Sequence, residues 1–139
     1  KKGVHNSFSS PDSINEFNWD NLKQYPQVFE YYRNLIQLRK NHPAFRLAKA
    51  ESVVRHLQFL TASDCLIAFQ LKDLEGIDTW KDIIVVLNGN RDTKTVDIPE
   101  GEYRVACCNG VISEAGIGMP VSGGKTTVDG QSALILYRQ

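Results

Sequence analysis

The segment PQVFEYYRNLIQLRKN, residues 26–41, constrains the fold more than any other, because it predicts a strongly amphipathic helix. Successive helical residues lie about 100° apart, so its apolar residues cover about half of the circumference. These residues are Val28, Phe29, Tyr31, Tyr32, Leu35, Ile36 and Leu38. Pro26 suits the first turn, and Pro43 ends the helix because the residue before a proline, here His42, disfavours the helical conformation. A stripe this wide requires a large apolar surface to pack against.

The residues after about position 50 predict an all-β module. DIIVVLN is a continuous apolar run, as expected of a central strand, and DCLIAFQLK alternates, as expected of a half-buried strand. Short strands with frequent turn signals indicate an antiparallel β-sandwich or barrel. The seven predicted strands are SVVRHLQFL, DCLIAFQLK, DIIVVLN, TKTVDIP, EYRVACC, KTTVDG and SALILYR.

The helix and the β-module are poorly matched in size. A sandwich of about 90 residues buries its own core. The half-apolar helix therefore has no obvious partner in the sequence, and we expect it to pack against a body outside this chain. The sequence begins with Lys1 rather than Met, which favours the same interpretation.

Charge and cysteine usage exclude several classes of function. The 139 residues include 16 basic and 16 acidic ones, so neither nucleic acid nor an anionic membrane is an expected partner. No segment approaches the length of a membrane span. The odd set Cys65, Cys107 and Cys108 argues against a disulfide framework and favours a reducing, cytoplasmic location. Too few spaced ligands are present for a zinc site, so we expect no metal and no cofactor.

The segment NSFSSPDSINEFNW, residues 6–19, mixes turn-forming polar residues with aromatic rings. It has neither strand alternation nor a helical stripe, and its serines, aspartate and proline favour turns. Elsewhere no nucleophile motif occurs, and VSGGKTT predicts a hairpin turn rather than a phosphate-binding loop. The segment of residues 6–19 is therefore predicted to be irregular and rich in turns.

Three segments, in this order, resemble the C-terminal end of type I pullulanases, starch-debranching members of the α-amylase family of glycoside hydrolases. They are NSFSSPDSINEFNWD, YYRNLIQLRKNHPAFRLA and VVRHLQFLTASDCLIAFQLKD. The resemblance covers the whole chain, strongly to about residue 87 and loosely beyond it. It implies a mainly β fold, with a C-terminal antiparallel β-sandwich of about 7–8 strands preceded by the last loop and helix of a (β/α)₈ barrel. Residues 1–45 would belong to that barrel, and residues 46–139 would form the sandwich.

The resemblance also implies an activity for the enzyme of which this chain would be the C-terminal portion. The family hydrolyses α-1,6-glucosidic linkages in pullulan, branched dextrins and glycogen by a retaining mechanism with two carboxyl groups. The family's catalytic motifs precede the last barrel strand and have no counterpart here, so we assign no catalytic residue. The implied partners are the N-terminal catalytic barrel and the α-glucan substrate, and this chain should be inactive alone.

Four loop residues match the family pattern and are our predicted substrate-binding residues: Asn6, Phe8, Asp12 and Asn15. Loops that follow barrel strands form the active-site face of such enzymes. Amide and carboxylate groups suit sugar hydroxyls, and aromatic rings suit the apolar faces of sugars. The alternative for these four residues is that they only brace the loop. Ile14, Phe17 and Trp19 are predicted to be apolar anchors of the loop.

Two other functions remain open from the sequence. A stand-alone carbohydrate-binding module would use aromatic residues of the sandwich, such as Trp80, Tyr103 and Tyr137, as sugar platforms. A structural or interaction β-module would need no binding site at all. The amphipathic helix argues against both, because a self-contained module has no need of it.

Overall fold

The computed structural model describes residues 5–139, which form two units, residues 5–30 and residues 31–139. The first unit contains the short helices α1 (Asp12–Asn15) and α2 (Asn21–Gln24) and the beginning of helix α3 (Pro26–Asn41). The second contains the rest of α3 and all the strands. Across residues 5–139, no helix combines the length and the apolar character that crossing a membrane requires.

Helix α3 confirms the prediction made from the apolar stripe, with the same bounds. It ends at Asn41, and the backbone of the next residue, His42, is extended (φ −109°, ψ 99°), as expected before a proline. A short 3₁₀ turn, Pro43–Arg46, follows, and then helix α4 (Ala50–His56).

Helix α4 corrects the prediction that SVVRHLQFL forms a strand from its first residue. The backbone N–H of Val53 donates to the Lys49 oxygen at 3.1 Å, and the strand begins only at Leu57. Fewer than two helical turns precede Leu57, and apolar spacing over so few residues does not distinguish a helix from a strand.

The strands form an antiparallel sheet in the order β1-β2-β3-β7-β4-β5, and β6 pairs with β4. This arrangement confirms the mainly β, antiparallel fold class. DIIVVLN is the interior strand β3, paired with β2 on one side and β7 on the other. The strands are β1 (Leu57–Ser63), β2 (Leu66–Leu71), β3 (Asp82–Asn88), β4 (Lys94–Cys108), β5 (Val111–Ile112), β6 (Val121–Val128) and β7 (Ser132–Arg138).

Strand β4 joins two segments that the sequence predicts as separate strands, TKTVDIP and EYRVACC. The register of its pairing with β6 shifts between Ile98 and Glu102, so the predicted turn at PEG is an irregularity within one strand. A Cβ on Gly123 of β6 would lie 2.3 Å from the Pro99 oxygen, so this close approach requires a glycine. The two-residue strand β5 was not predicted.

Apolar residues cover both faces of the central strands. On one face, Ile84 and Val86 of β3 belong to a buried cluster with Val96 of β4 and Val128 of β6, which form the second layer of the sandwich. On the opposite face, Ile83 and the neighbouring strands pack with residues of α3 and of the loop before β3. Burial on both sides explains the uninterrupted apolar sequence of β3.

The packing of α3 corrects the expectation that its whole stripe faces a body outside this chain. Leu38 is 1% exposed and lies in the core of the second unit, and Tyr31 packs against the same cluster while partly exposed. Tyr32 and Ile36, on the adjacent part of the stripe, are 63% and 57% exposed. The C-terminal half of α3 therefore divides its apolar surface between the sheet and solvent. The boundary between residues 45 and 46 stays a prediction.

Candidate functional site

Two of the four predicted binding residues brace the loop of the first unit. The side-chain oxygen of Asn6 accepts the backbone N–H of Phe8 at 3.1 Å. The side-chain amide of Asn15 donates to the backbone oxygens of Ser7 at 2.7 Å and Ser10 at 2.9 Å. These bonds pair one backbone N–H and two backbone carbonyl groups of the loop with side chains. Asn6 and Asn15 thus hold the loop conformation through their side chains.

Phe8 and Asp12, the other two, are exposed. The Phe8 ring is 92% exposed, and Asp12 opens α1 with its carboxylate in solvent. Neither side chain has a hydrogen-bonding or ring partner within residues 5–139. A structured loop thus presents an aromatic face and a carboxylate, the two group types that suit a sugar. That these residues bind substrate stays a prediction.

The predicted apolar anchors of the loop differ in burial. Ile14 is half-buried, whereas Phe17 and Trp19 are 63% and 72% exposed. The two exposed rings meet edge to face with centroids 4.8 Å apart, a favourable aromatic geometry. The first unit therefore carries a small exposed aromatic pair, and the anchoring role of these residues stays a prediction.

The sandwich aromatics proposed for a carbohydrate-binding module are buried, so that use of them is wrong. Trp80 is 3% exposed, and Tyr103 and Tyr137 are fully buried. Trp80 is stacked between the rings of His42 and Tyr137, with centroid distances of 3.5 Å and 3.9 Å. A sugar platform must be open to solvent. These rings instead form part of the core.

The buried His42 is the centre of a polar cluster that sequence reasoning missed. Its Nδ1 lies 2.7 Å from Oδ1 of Asp78, and its Nε2 lies 3.6 Å from a carboxylate oxygen of Glu114. That Nε2 is buried without a hydrogen bond among the described residues. From the sequence, His42 is predicted only to end the helix. The signal available in the sequence was a histidine at the end of the helix together with a loop rich in acidic residues before β3.

Asp78 is held as a carboxylate by this cluster. Burial alone would raise the pKa of Asp78, but the hydrogen bond from His42 and those from the backbone N–H groups of Trp80 and Ala44 outweigh burial and lower it. These hydrogen bonds to Asp78 join the end of α3 to the loop before β3. This is a structural role, since both side chains are enclosed.

An apolar groove lies between α3 and the sheet of the second unit, and we call it the α3 groove. Its volume is about 330 Å³. Its walls are almost entirely apolar. They do not suit a glucan, because sugar hydroxyls that leave water need hydrogen-bond partners in the binding site. The main lining residues are Tyr31, Leu35, Ile36, Phe69, Leu87 and Ile135.

No metal-binding constellation occurs in the described part of the chain, where no group of three or more histidine, cysteine, aspartate or glutamate side chains is suitably placed. Within residues 5–139, Phe8 and Asp12 are exposed on the loop of the first unit, and the α3 groove is an apolar surface of the second unit.

Comparison with known proteins gives consistent matches. Residues 53–110 match the family model described as pullulanase, all-beta domain. A curated pullulanase of Bacillus subtilis (strain 168) is 45% identical over 108 residues, which are 77% of this chain and 15% of that protein. The pullulanase structure from Bacillus acidopullulyticus matches 99% of this chain with a TM-score of 0.87 and 37% identity, over 17% of its own length.

A second solved structure, pullulanase type I from Bacillus subtilis str. 168 complexed with maltose, is 40% identical with a TM-score of 0.87. It matches 99% of this chain over 19% of its own length. The chain therefore spans less than a fifth of these relatives, and the similarity extends over both of its units.

Proposed function

Because this chain belongs to the type I pullulanase family and contains the family's all-beta domain, we propose that it works as part of a starch-debranching glycoside hydrolase. The observation that carries this proposal is the 45% identity over 108 residues with a pullulanase. In the proposed enzyme, residues 46–139 form an accessory β-domain and residues 1–45 contribute the last loop and helix of the barrel.

The proposed reaction is hydrolysis of α-1,6-glucosidic linkages in pullulan, branched dextrins and glycogen. A retaining mechanism requires an acid/base carboxyl and a nucleophilic carboxylate roughly 5–5.5 Å apart. Neither is assigned to this chain. Its own residues would bind and orient the glucan chain beside those carboxylates, and the chain alone would not hydrolyse the linkage.

Phe8 and Asp12 would make the direct contacts with the glucan. The Phe8 ring would stack against the apolar face of a glucose unit, and the Asp12 carboxylate would accept hydrogen bonds from sugar hydroxyls. Asn6 and Asn15 would keep the loop in its conformation through their bonds to Phe8, Ser7 and Ser10. Holding the loop beforehand lowers the entropy cost of binding.

The proposed partner of α3 is the catalytic barrel of the same enzyme. Tyr32 and Ile36 are exposed on the helix, and the α3 groove beside them is apolar. An exposed apolar surface of this kind marks an interface. More than four fifths of the length of each compared relative lies outside the matched segment, which leaves ample chain for such a barrel.

Activity measurements on pullulan test the function. The enzyme that carries this chain should release reducing ends from pullulan and from branched dextrins. Linear amylose, which has only α-1,4 linkages, should remain almost intact and is the matched control substrate. The purified 139-residue chain should release nothing from any of them. Turnover of pullulan by the chain alone, or rapid cleavage of amylose by the enzyme, would contradict the proposal.

A cytoplasmic location is proposed on the state of the thiols. Cys65, Cys107 and Cys108 are all free thiols, and Cys65 is exposed. Free thiols are typical of reducing compartments. Fractionation of the source cells with an antibody against this chain tests the location, and recovery in an extracellular fraction would contradict it.

A further inference from the structure

Two Asn–Gly pairs occur at turns of the sheet, and their surroundings differ. Asn88 is the last residue of β3 and Gly89 follows it, whereas Asn109–Gly110 connects β4 with β5. In such a pair the backbone nitrogen of glycine can attack the side-chain carbonyl carbon of the asparagine, because glycine has no Cβ to obstruct the approach. Whether the reaction occurs in a folded protein depends on how firmly the two reacting groups are held.

Both reacting groups of Asn88–Gly89 are occupied. Asn88 is 3% exposed, and its amide nitrogen donates to the backbone oxygens of Asp92 and Asp129, each at 2.9 Å. The backbone N–H of Gly89, which would be the nucleophile, donates to the Cys65 oxygen at 2.8 Å. Attack would require several buried hydrogen bonds to break together, and the groups left behind would lack partners.

The second pair, Asn109–Gly110, is open. Both residues are exposed, and a Cβ on Gly110 would meet no atom within 4 Å. The amide of Asn109 makes no hydrogen bond to a side chain or backbone group of residues 5–139. Both residues have positive φ, 47° and 78°, as in a two-residue hairpin turn.

The hairpin that contains this turn lies at the edge of the sheet, since β5 is the last strand in the order. Strand β5 has two residues, which pair with β4 as Cys107 with Ile112 and Cys108 with Val111. The backbone N–H of Ser113 extends this pairing by one bond, to the Ala106 oxygen at 2.9 Å. A hairpin with so few pairs has a low local opening free energy, unlike the interior strands. Opening of this edge hairpin would give the turn the extended geometry that the attack requires while the interior strands stay paired.

We propose that Asn109 is a site of spontaneous deamidation and that Asn88 is protected. The Gly110 nitrogen forms a bond to Cγ of Asn109 and loses its proton to solvent. The bond from Cγ to Nδ2 breaks, and Nδ2 takes up a proton and leaves as ammonia. Water then adds to either carbonyl of the resulting cyclic imide and opens it. The products are aspartate or isoaspartate at position 109, with no change of oxidation state.

Isoaspartate at this position has a structural consequence. It adds one methylene group to the backbone of a turn that is two residues long, and it adds a negative charge. Glu114 lies two residues after the end of β5. Its backbone oxygen accepts a hydrogen bond from the Tyr137 hydroxyl at 2.8 Å, and its carboxylate accepts one from the Asn41 amide at 2.8 Å. Modification of Asn109 should therefore loosen the attachment of the segment after β5.

Peptide mass spectrometry tests the proposal. The folded 139-residue chain is incubated at mildly alkaline pH and sampled over time, and the mass gain from replacing an amide by a carboxyl is measured for both peptides. We expect conversion at Asn109 to be more than roughly tenfold faster than at Asn88. An isoaspartyl methyltransferase assay should label the Asn109 peptide.

The same chain in denaturant is the matched control, because both pairs are then equally exposed and should convert at similar rates. Asn109→Gln should remove the fast release of ammonia from the folded chain. Equal conversion of both pairs in the folded chain would overturn the proposal. The proposal would also be overturned if folding slowed conversion at Asn109, relative to the denatured chain, as strongly as it slows conversion at Asn88.

Discussion

The Nδ1 atom of His42 donates a hydrogen bond to Oδ1 of Asp78 over 2.7 Å, and both side chains are almost completely enclosed. The same carboxylate accepts the backbone N–H groups of Ala44 and Trp80, each at 3.0 Å. One side chain thus ties the end of α3, the 3₁₀ turn after it and the loop before β3 together. The His42 ring completes the attachment by stacking on Trp80.

Replacement of Asp78 should therefore destabilise the chain strongly. Asp78→Ala removes the acceptor of the bonds from His42, Ala44 and Trp80 and leaves these donors without partners, at a cost of about 3–5 kcal/mol. Denaturant unfolding of the chain measures the loss. Asp97→Ala is the control, since Asp97 pairs with Lys125 on the surface and its loss should cost less than about 1 kcal/mol. Equal costs for the two variants would contradict the structural role of Asp78.

Because the pKa of Asp78 is lowered in the folded chain, the free energy of unfolding should depend on pH in the acid range. An aspartate with a folded pKa below the unfolded value of about 3.9 stabilises the fold fully above that pH. The contribution is lost as pH falls through the folded pKa. The free energy of unfolding should thus decline at acid pH, and Asp78→Asn should show a shallower decline. Thermal unfolding between neutral and strongly acid pH measures both slopes, and parallel slopes would contradict the prediction.

Substitutions at two apolar residues of α3 should affect the stability of the isolated chain to very different degrees. In the isolated chain, Leu38→Ala should cost about 2–5 kcal/mol because Leu38 is buried in the core. Ile36→Glu should change the stability of the isolated chain by about 0.5 kcal/mol at most, because Ile36 is largely exposed there.

In the whole enzyme, Ile36→Glu should instead destabilise, since it would bury an unpaired charge against the proposed barrel. Calorimetry of the chain and of the enzyme compares the two contexts. A stable enzyme carrying Ile36→Glu would show that the barrel does not cover this part of the helix.

The loop provides the test of substrate binding. Asp12→Ala in the enzyme should lower kcat/KM for pullulan about tenfold or more, because a hydrogen bond to a charged group contributes about 1.5–3 kcal/mol. The melting temperature should stay unchanged, since the Asp12 side chain is exposed. Glu16→Ala is the matched control, because Glu16 is an exposed carboxylate just after the same short helix. Unaltered kcat/KM for Asp12→Ala would leave the residue without a binding role.

Several parts of the fold follow from local pattern. The bounds of α3 were predicted because sixteen residues repeat one apolar period and a proline follows. Strand β3 was predicted from its continuous apolar run. Helix α4 and strand β5 were missed because each is too short for its periodicity to be decisive. The division of β4 into two strands was wrong because a proline and a glycine produce an irregularity there rather than a turn.

The candidate site was only partly accessible from the sequence. The residue types of the loop indicated polar and aromatic contacts, but they did not separate Asn6 and Asn15, which brace the backbone, from Phe8 and Asp12, which are exposed. Hydrogen bonding within a loop depends on backbone directions that composition does not specify. The same limit applies to Trp80, which suits a sugar platform by type and is buried by position.

By itself the sequence determined the antiparallel β-module, the amphipathic helix before it and the likeness to pullulanases, because periodicity and motif order are properties of neighbouring residues. Only the tertiary structure decided that His42 meets Asp78, 36 residues away, and that Leu38 rather than Ile36 is buried. The physical reason is that such contacts depend on strand order and on the rotation of α3 against the sheet. Those are set by the packing of the whole core and not by any local pattern.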